Sequence, residues 1–213
     1  MNLAVEQTPR ETSLEAGGYV KGVAVALVTQ NKDDDGLCRV KVSYPWHDKP
    51  RDSYWARLAS PMAGKDRGLV CIPEVGDEVV VGFEREDLRF PYVLGALWNG
   101  KDLPHFRNKD GKNDQRVFKS RKKHYLLFDD GSKGVVELVH EKGRKVTFDD
   151  NGFAVQDEKG NVVKVDSDSG AMTIEAKGKL SIKAASITIE ATGTVEMTAK
   201  ATLTVRGSLV NIN

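Results

Sequence analysis

The stretch SITIEATGTVEMTAKATLTVRGSLVNIN, Ser186 to Asn213, alternates apolar and polar residues almost without a slip and contains no proline and no aromatic residue. Alternation of period two predicts strands with one buried face, and Thr, Val and Ile suit a pleated surface. Bulky apolar pairs recur at Met172/Ile174, Leu180/Ile182, Ile187/Ile189, Val195/Met197, Leu203/Val205 and Val210/Ile212, starting eight, seven, eight, eight and seven residues apart. Small residues separate them, among them Ala176, Gly178, Ala184, Ala185, Ala191, Gly193, Ala199, Ala201 and Gly207. The repeating unit is a short strand followed by a kink with little side chain.

Two or three apolar side chains per strand bury too little for a single-chain solenoid, and each strand edge is left without a partner. Three identical chains wound about a common axis meet both demands, with the twelve paired residues turned inward as the trimer core. At about 4.8 Å between strands, six rungs make a rod of roughly 29 Å. Edge hairpins of a β-sandwich need Asn, Asp or Gly turns that "AAS" and "AKA" do not supply. An amyloid-prone tail is disfavoured by the frequent Lys and Glu.

The rest of the chain has a different character. All seven prolines and all three tryptophans lie at or before Pro104, and no aromatic follows Phe153. Of 213 residues, 39% are hydrophobic, so a core forms only where they concentrate, here in the first half. A formal net charge of +1 gives no global attraction to nucleic acid or to an anionic membrane. Cys38 and Cys71, in "LCRVKV" and "GLVCIP", read as small buried hydrophobes in strands. The N-terminal segment has no apolar run of signal-peptide length and no stretch reaches membrane-spanning length, so synthesis in the cytoplasm and no stable membrane insertion are expected.

The expected organisation is all-β. Residues 1–18 form an N-terminal arm. Residues 19–100 hold five or six short strands at intervals of roughly ten residues with Gly and Pro between them, the pattern of a small closed barrel of the OB type. Residues 101–123 are a polar, basic connector, 124–170 a β-rich neck punctuated by "FDDG" and "FDDNG" hairpin turns, and 171–213 an intertwined triple-stranded β-helix.

Several stretches resemble the family of VgrG and phage baseplate assembly protein V, the central spike of contractile injection systems. They are "VKGVAVALVTQNKDDDGLCRVKVSYPW" (Val20 to Trp46), "YWARLASPMAG" (Tyr54 to Gly64), "PEVGDEVVVGF" (Pro73 to Phe83), "PYVLGALWNG" (Pro91 to Gly100) and "DEKGNVVKV" (Asp157 to Val165). The resemblance implies a homotrimer of OB barrels continued by a triple-stranded β-helix, and a mechanical role: a spike that docks on a hub and pierces a target envelope within a phage tail or injection particle. Members with a full-length architecture begin with a large hub domain, so a separate hub protein is expected at the barrel end. The family also implies a PAAR-like tip protein at the other end, and Leu209, Val210, Asn211, Ile212 and Asn213 are the expected docking residues.

Catalysis finds no footing. His47, His105, His124 and His140 are dispersed along the chain, no GxSxG or HExxH occurs, and Glu84, Glu86 and Asp87 read as a solvated turn. No catalytic residue, metal ligand or cofactor is expected. The alternative function is single-stranded nucleic-acid binding by the OB barrel, with Trp46, Tyr54 and Trp55 as stacking platforms and "KSRKK" (Lys119 to Lys123) as the basic element.

Overall fold

The computed structural model describes residues 19–47 and 52–212; the arm 1–18 and Asn213 lie outside the described residues. Among the described residues the regular structure is β apart from a 3-10 turn at Glu84–Glu86, and the chain divides into two compact units between Arg107 and Asn108.

In the first unit a five-stranded sheet is built from β1 (Val23–Gln30), β2 (Lys41–Ser43), β3 (Arg57–Leu58), β6 (Glu78–Phe83) and β7 (Pro91–Ala96), in the order β2-β1-β6-β7-β3. β3 runs parallel to β7, and the bridge between Val40 and Ala56 joins the two ends of the sheet through reciprocal N–H···O bonds of 3.0 and 2.7 Å. A sheet closed in this way has few free edges, which is how a short-stranded OB-like barrel stays monodisperse in its own pairing. Alternation on β1, β2, β6 and β7 sends Ala26, Val28, Val42, Val79, Val81 and Val93 inward, where they pack with Val40, Tyr44, Ala56 and Leu88. Ser53 is buried at the rim of this core, its hydroxyl accepting the Val42 N–H at 3.0 Å and donating to the Tyr54 carbonyl at 2.6 Å.

The polar turn between β1 and β2 is organised by one carboxylate. Asp33 accepts N–H groups from Asp35, Leu37 and Arg39 and holds the Arg39 guanidinium through two bonds of 2.8 Å. That guanidinium keeps the Asp33 carboxyl far below the usual carboxylate range.

Two sequence expectations for this unit are corrected. Past Gly68, "LVCIP" forms no strand; a minimal hairpin, β4 (Ala63–Gly64) with β5 (Arg67–Gly68), precedes it, and Leu69, Val70 and Ile72 are exposed. Cys38 and Cys71 are free and exposed rather than buried, Cys38 because it sits at φ 56 in the turn before β2 begins. Trp98 is 71% exposed in the single chain.

The second unit is a seven-stranded antiparallel meander, β8 (Gln115–Lys119), β9 (Tyr125–Asp129), β10 (Val135–Val139), β11 (Lys145–Asp149), β12 (Gly152–Gln156), β13 (Val162–Asp166) and β14 (Met172–Glu175), each strand paired with the next. Its turns are closed by short polar side chains: Asp129 accepts the Gly131 N–H, Asp149 that of Asn151 and Asp157 those of Lys159 and Asn161, each at 2.9 Å. Two boundaries therefore differ from expectation. Gln115–Lys119, assigned above to the connector, is a strand. Met172 and Ile174, assigned to the intertwined helix, lie in a strand that pairs with β13 of the same chain. Beyond Glu175, residues 176–212 join no strand ladder within the chain.

Candidate assembly surface

The register of the meander sorts its side chains into rows. One row crosses all seven strands through Phe118, Leu126, Leu138, Val146, Val155, Val163 and Ile174, neighbours in successive strand pairs. The adjacent row on the same face runs through Phe128, Val136, Phe148, Phe153, Val165 and Met172. Phe148 and Phe153 have ring centroids 6.0 Å apart within it, a cross-strand aromatic pair. This face is wholly apolar apart from Arg116 at its first strand, yet Phe118, Leu138, Phe148 and Met172 are more than half exposed.

The opposite face is polar at its centre. Leu127, Glu137, Thr147, Ala154, Lys164 and Thr173 face one another in register, and Glu137 accepts bonds from Tyr125, Lys145 and Thr147 at 3.2–3.3 Å. Desolvation and the Glu137 charge push the Tyr125 phenol up. Leu127 on this face is buried and Glu137, Thr147 and Ala154 are half-buried, so at its centre the polar face is the less exposed of the two.

The sequence-predicted core residues fall in two groups. Met172 and Ile174 share a face with Val165 and Val163, as just described. Leu180, Ile182, Ile187, Ile189, Val195, Met197, Leu203, Val205, Val210 and Ile212 lie in the segment without ladders and are not brought together within the chain; every one of them is exposed, Ile212 to 90%. Leu209, Val210, Asn211 and Ile212 of the expected docking segment are likewise exposed. Sequence reasoning missed the apolar rows of β8–β13, although the same i, i+2 spacing of bulky residues is visible there at Leu126/Phe128, Val136/Leu138, Val146/Phe148, Phe153/Val155 and Val163/Val165.

No cluster of three or more His, Cys, Asp or Glu capable of holding a metal occurs among the described residues. The fold brings His124 and His140 together, ring centroids 4.5 Å apart, each Nδ1 accepting a backbone N–H, from Glu141 and Lys142 respectively. Glu84 and Glu86 are exposed on the 3-10 turn, Glu84 accepting the Tyr92 hydroxyl at 2.6 Å. Trp55 is covered by Arg39 and Lys41, 5.5 and 5.1 Å from its ring centroid, while Lys119–Lys123 belongs to the β8–β9 turn of the other unit.

Comparison with known proteins bears on the barrel. Residues 24–98 match the family described as the type VI secretion system/phage-baseplate injector OB domain. The chain is 34% identical over 90 residues to the type VI secretion system spike protein VgrG1c of Pseudomonas aeruginosa, covering 38% of this chain and 12% of that protein. It is 31% identical over 101 residues to the spike protein VgrG3 of Vibrio cholerae, covering 44% of this chain and 10% of that protein. A further relative, 28% identical over 95 residues, is the actin cross-linking toxin VgrG1 of Vibrio cholerae, with 41% of this chain and 9% of that protein covered. The chain thus spans about a tenth of the length of these relatives. The resemblance to the VgrG and baseplate protein V family is borne out over the barrel. Among the described residues no helix is long and apolar enough to cross a membrane.

Proposed function

We propose that this chain is the structural central spike of a contractile injection machine, a homotrimer without catalytic activity whose barrel end docks on a separate hub protein and whose rod pierces the target envelope. The single observation that carries the reading is the joining, in one chain, of an injector OB domain to a segment whose apolar pairs are all exposed. A strand-like segment with a periodic apolar stripe and no ladder of its own is stable only when other chains supply both the ladder and the cover. Copies of the same chain present the same pairs at the same spacing, so three segments wound together bury the stripe and satisfy the backbone at every rung.

The role is mechanical. Force delivered along the axis is borne by backbone ladders and a dry apolar column, and the Thr, Lys and Glu of the outer face keep the rod solvated. A PAAR-like tip protein at Leu209–Asn213 fits the exposed Leu209, Val210 and Ile212, with strand addition and apolar contact sharing the affinity. Deleting 209–213 should abolish co-purification of such a tip protein while the assembly persists; retained binding would place the tip elsewhere. Nucleic-acid binding is not favoured, since Trp55 is already stacked under two cations of its own chain. The role itself is tested by deleting the gene from its own injection system: particles that still assemble a spiked baseplate and deliver cargo would refute it.

A further inference from the structure

Cys38 and Cys71 take no part in the barrel core; both are free and exposed. They nevertheless line one cavity of the first unit, about 720 Å³ in volume, whose walls include residues 36–39, 57–64 and 67–72. The backbone explains why they converge. Val40 and Ala56 exchange N–H···O bonds of 3.0 and 2.7 Å, so Cys38, just before this bridge, runs beside the start of the 56–62 segment. Farther along that segment the Leu69 N–H donates to the Met62 carbonyl at 3.0 Å and the Ser60 hydroxyl to the Leu69 carbonyl at 2.8 Å. Cys71, just past Leu69, is thereby held against the same segment.

The wall of this cavity is cationic. Arg39, Arg57 and Arg67 line it, and none of its lining residues is acidic. Arg39 is held by Asp33 and Asp35, neither of which lines the cavity, at 2.8 and 2.5 Å. Arg57 lies 5.8 Å from the centroid of the Tyr92 ring, and Arg67 folds over Gly64 within its own hairpin. The arm that carries Cys71 belongs to no strand ladder past Gly68, and Leu69, Val70 and Ile72 on it are exposed, so it can shift without opening the core. A disulfide needs Cα atoms about 4.4–6.8 Å apart, a demand that such an arm can meet.

We propose that Cys38 and Cys71 are a dithiol site for an anionic low-molecular-weight disulfide, through which they become one intrachain disulfide across the cavity. The thiolate of one cysteine attacks a sulfur of the small disulfide, whose S–S bond breaks as one thiolate leaves with its electron pair. The other cysteine then attacks the protein sulfur of the mixed disulfide, the bond between Cys38 and Cys71 forms, and the second small thiolate leaves. Two protein thiols are oxidised, one small disulfide is reduced to two thiols, and the two cysteine protons pass through solvent to the departing thiolates. The guanidiniums favour an anionic reagent by raising its concentration at the site. The product ties the arm 67–72 to the turn between β1 and β2. Thiols persist in a reducing compartment and pair in an oxidising one, so the arm is free in the first and stapled in the second.

The test uses the reduced full chain, oxidised glutathione as the anionic disulfide, cystamine as a cationic one, and intact mass under non-reducing conditions. With oxidised glutathione the wild-type chain should lose two hydrogens and retain no glutathione, whereas Cys38→Ser and Cys71→Ser should each keep one. At low salt the folded chain should prefer oxidised glutathione over cystamine by at least about tenfold in rate, each rate taken relative to the urea-unfolded chain, and the preference should shrink as salt is added. The wild-type measurement stands without the variants, so a serine substitution that disturbs the fold does not blunt it. A wild-type chain that keeps glutathione on both cysteines, stays unmodified, or pairs its cysteines between chains overturns the inference. Equal relative rates with the two reagents overturn it as well. Each of these outcomes leaves the spike reading standing, because the thiols carry no part of it.

Discussion

At the scale of single residues, chemistry rather than exposure in one chain separates inward from outward positions in the proposed rod. Ile189 is 66% exposed here and Glu190 is exposed beside it. Ile189→Asp should cost at least about 3 kcal/mol per chain, because carboxylates would meet in an apolar column without partners. Glu190→Lys should change stability by about 0.5 kcal/mol or less. Equal melting shifts for the two variants would show the register to be wrong. Asp33 provides a test within the barrel. Its carboxyl is held far below the ordinary 3.8 by Arg39, so the stabilisation it confers is present above that value and lost as pH falls through the folded-state titration. Asp33→Asn should therefore lower the barrel's melting temperature at pH 7, with the gap to the native chain narrowing below about pH 3.8. A gap that stays constant down to pH 2 would mean that the Asn cannot replace Asp33 for steric reasons alone.

At the scale of elements, the barrel was readable because its strands alternate cleanly and Gly or Pro marks their ends; Ala26, Val28, Val79 and Val81 fall inward as that pattern demands. Where the sequence misled, a partner strand decided the matter. Gln115–Lys119 has only Val117 and Phe118 as apolar residues, and its extended form follows from pairing with β9. "LVCIP" is apolar throughout, but without a ladder partner its propensity leaves it as exposed coil. The hairpin signals "FDDG" and "FDDNG" are legible in the sequence, whereas the i, i+2 pairs between them become rows only through the strand register. Gly152 shows how tightly one of those turns is built: its φ is 137° and a Cβ there would lie 2.1 Å from the Val165 carbonyl oxygen. Gly152→Ala should destabilise the second unit by roughly 2 kcal/mol or more, the backbone of β13 being unable to give way. Circular dichroism melting showing an unchanged transition would contradict the register of β12 against β13.

At the scale of the whole molecule, exposure is the dominant fact of the second unit. Apolar rows on β8–β14 and apolar pairs along 176–212 stand exposed in the single chain; under the proposed trimer they are covered by association, and stability then depends on protomer concentration. The barrel is similar in sequence to injector OB domains, and the proposed rod of wound segments needs three copies. The most direct measurement is the native mass of the purified full chain over a dilution series into the low micromolar range. One species at three times 23.4 kDa is expected, persisting on dilution and unfolding in a concentration-dependent transition. A folded monomer of 23.4 kDa, with residues 176–212 protected from proteolysis in that state, would contradict it.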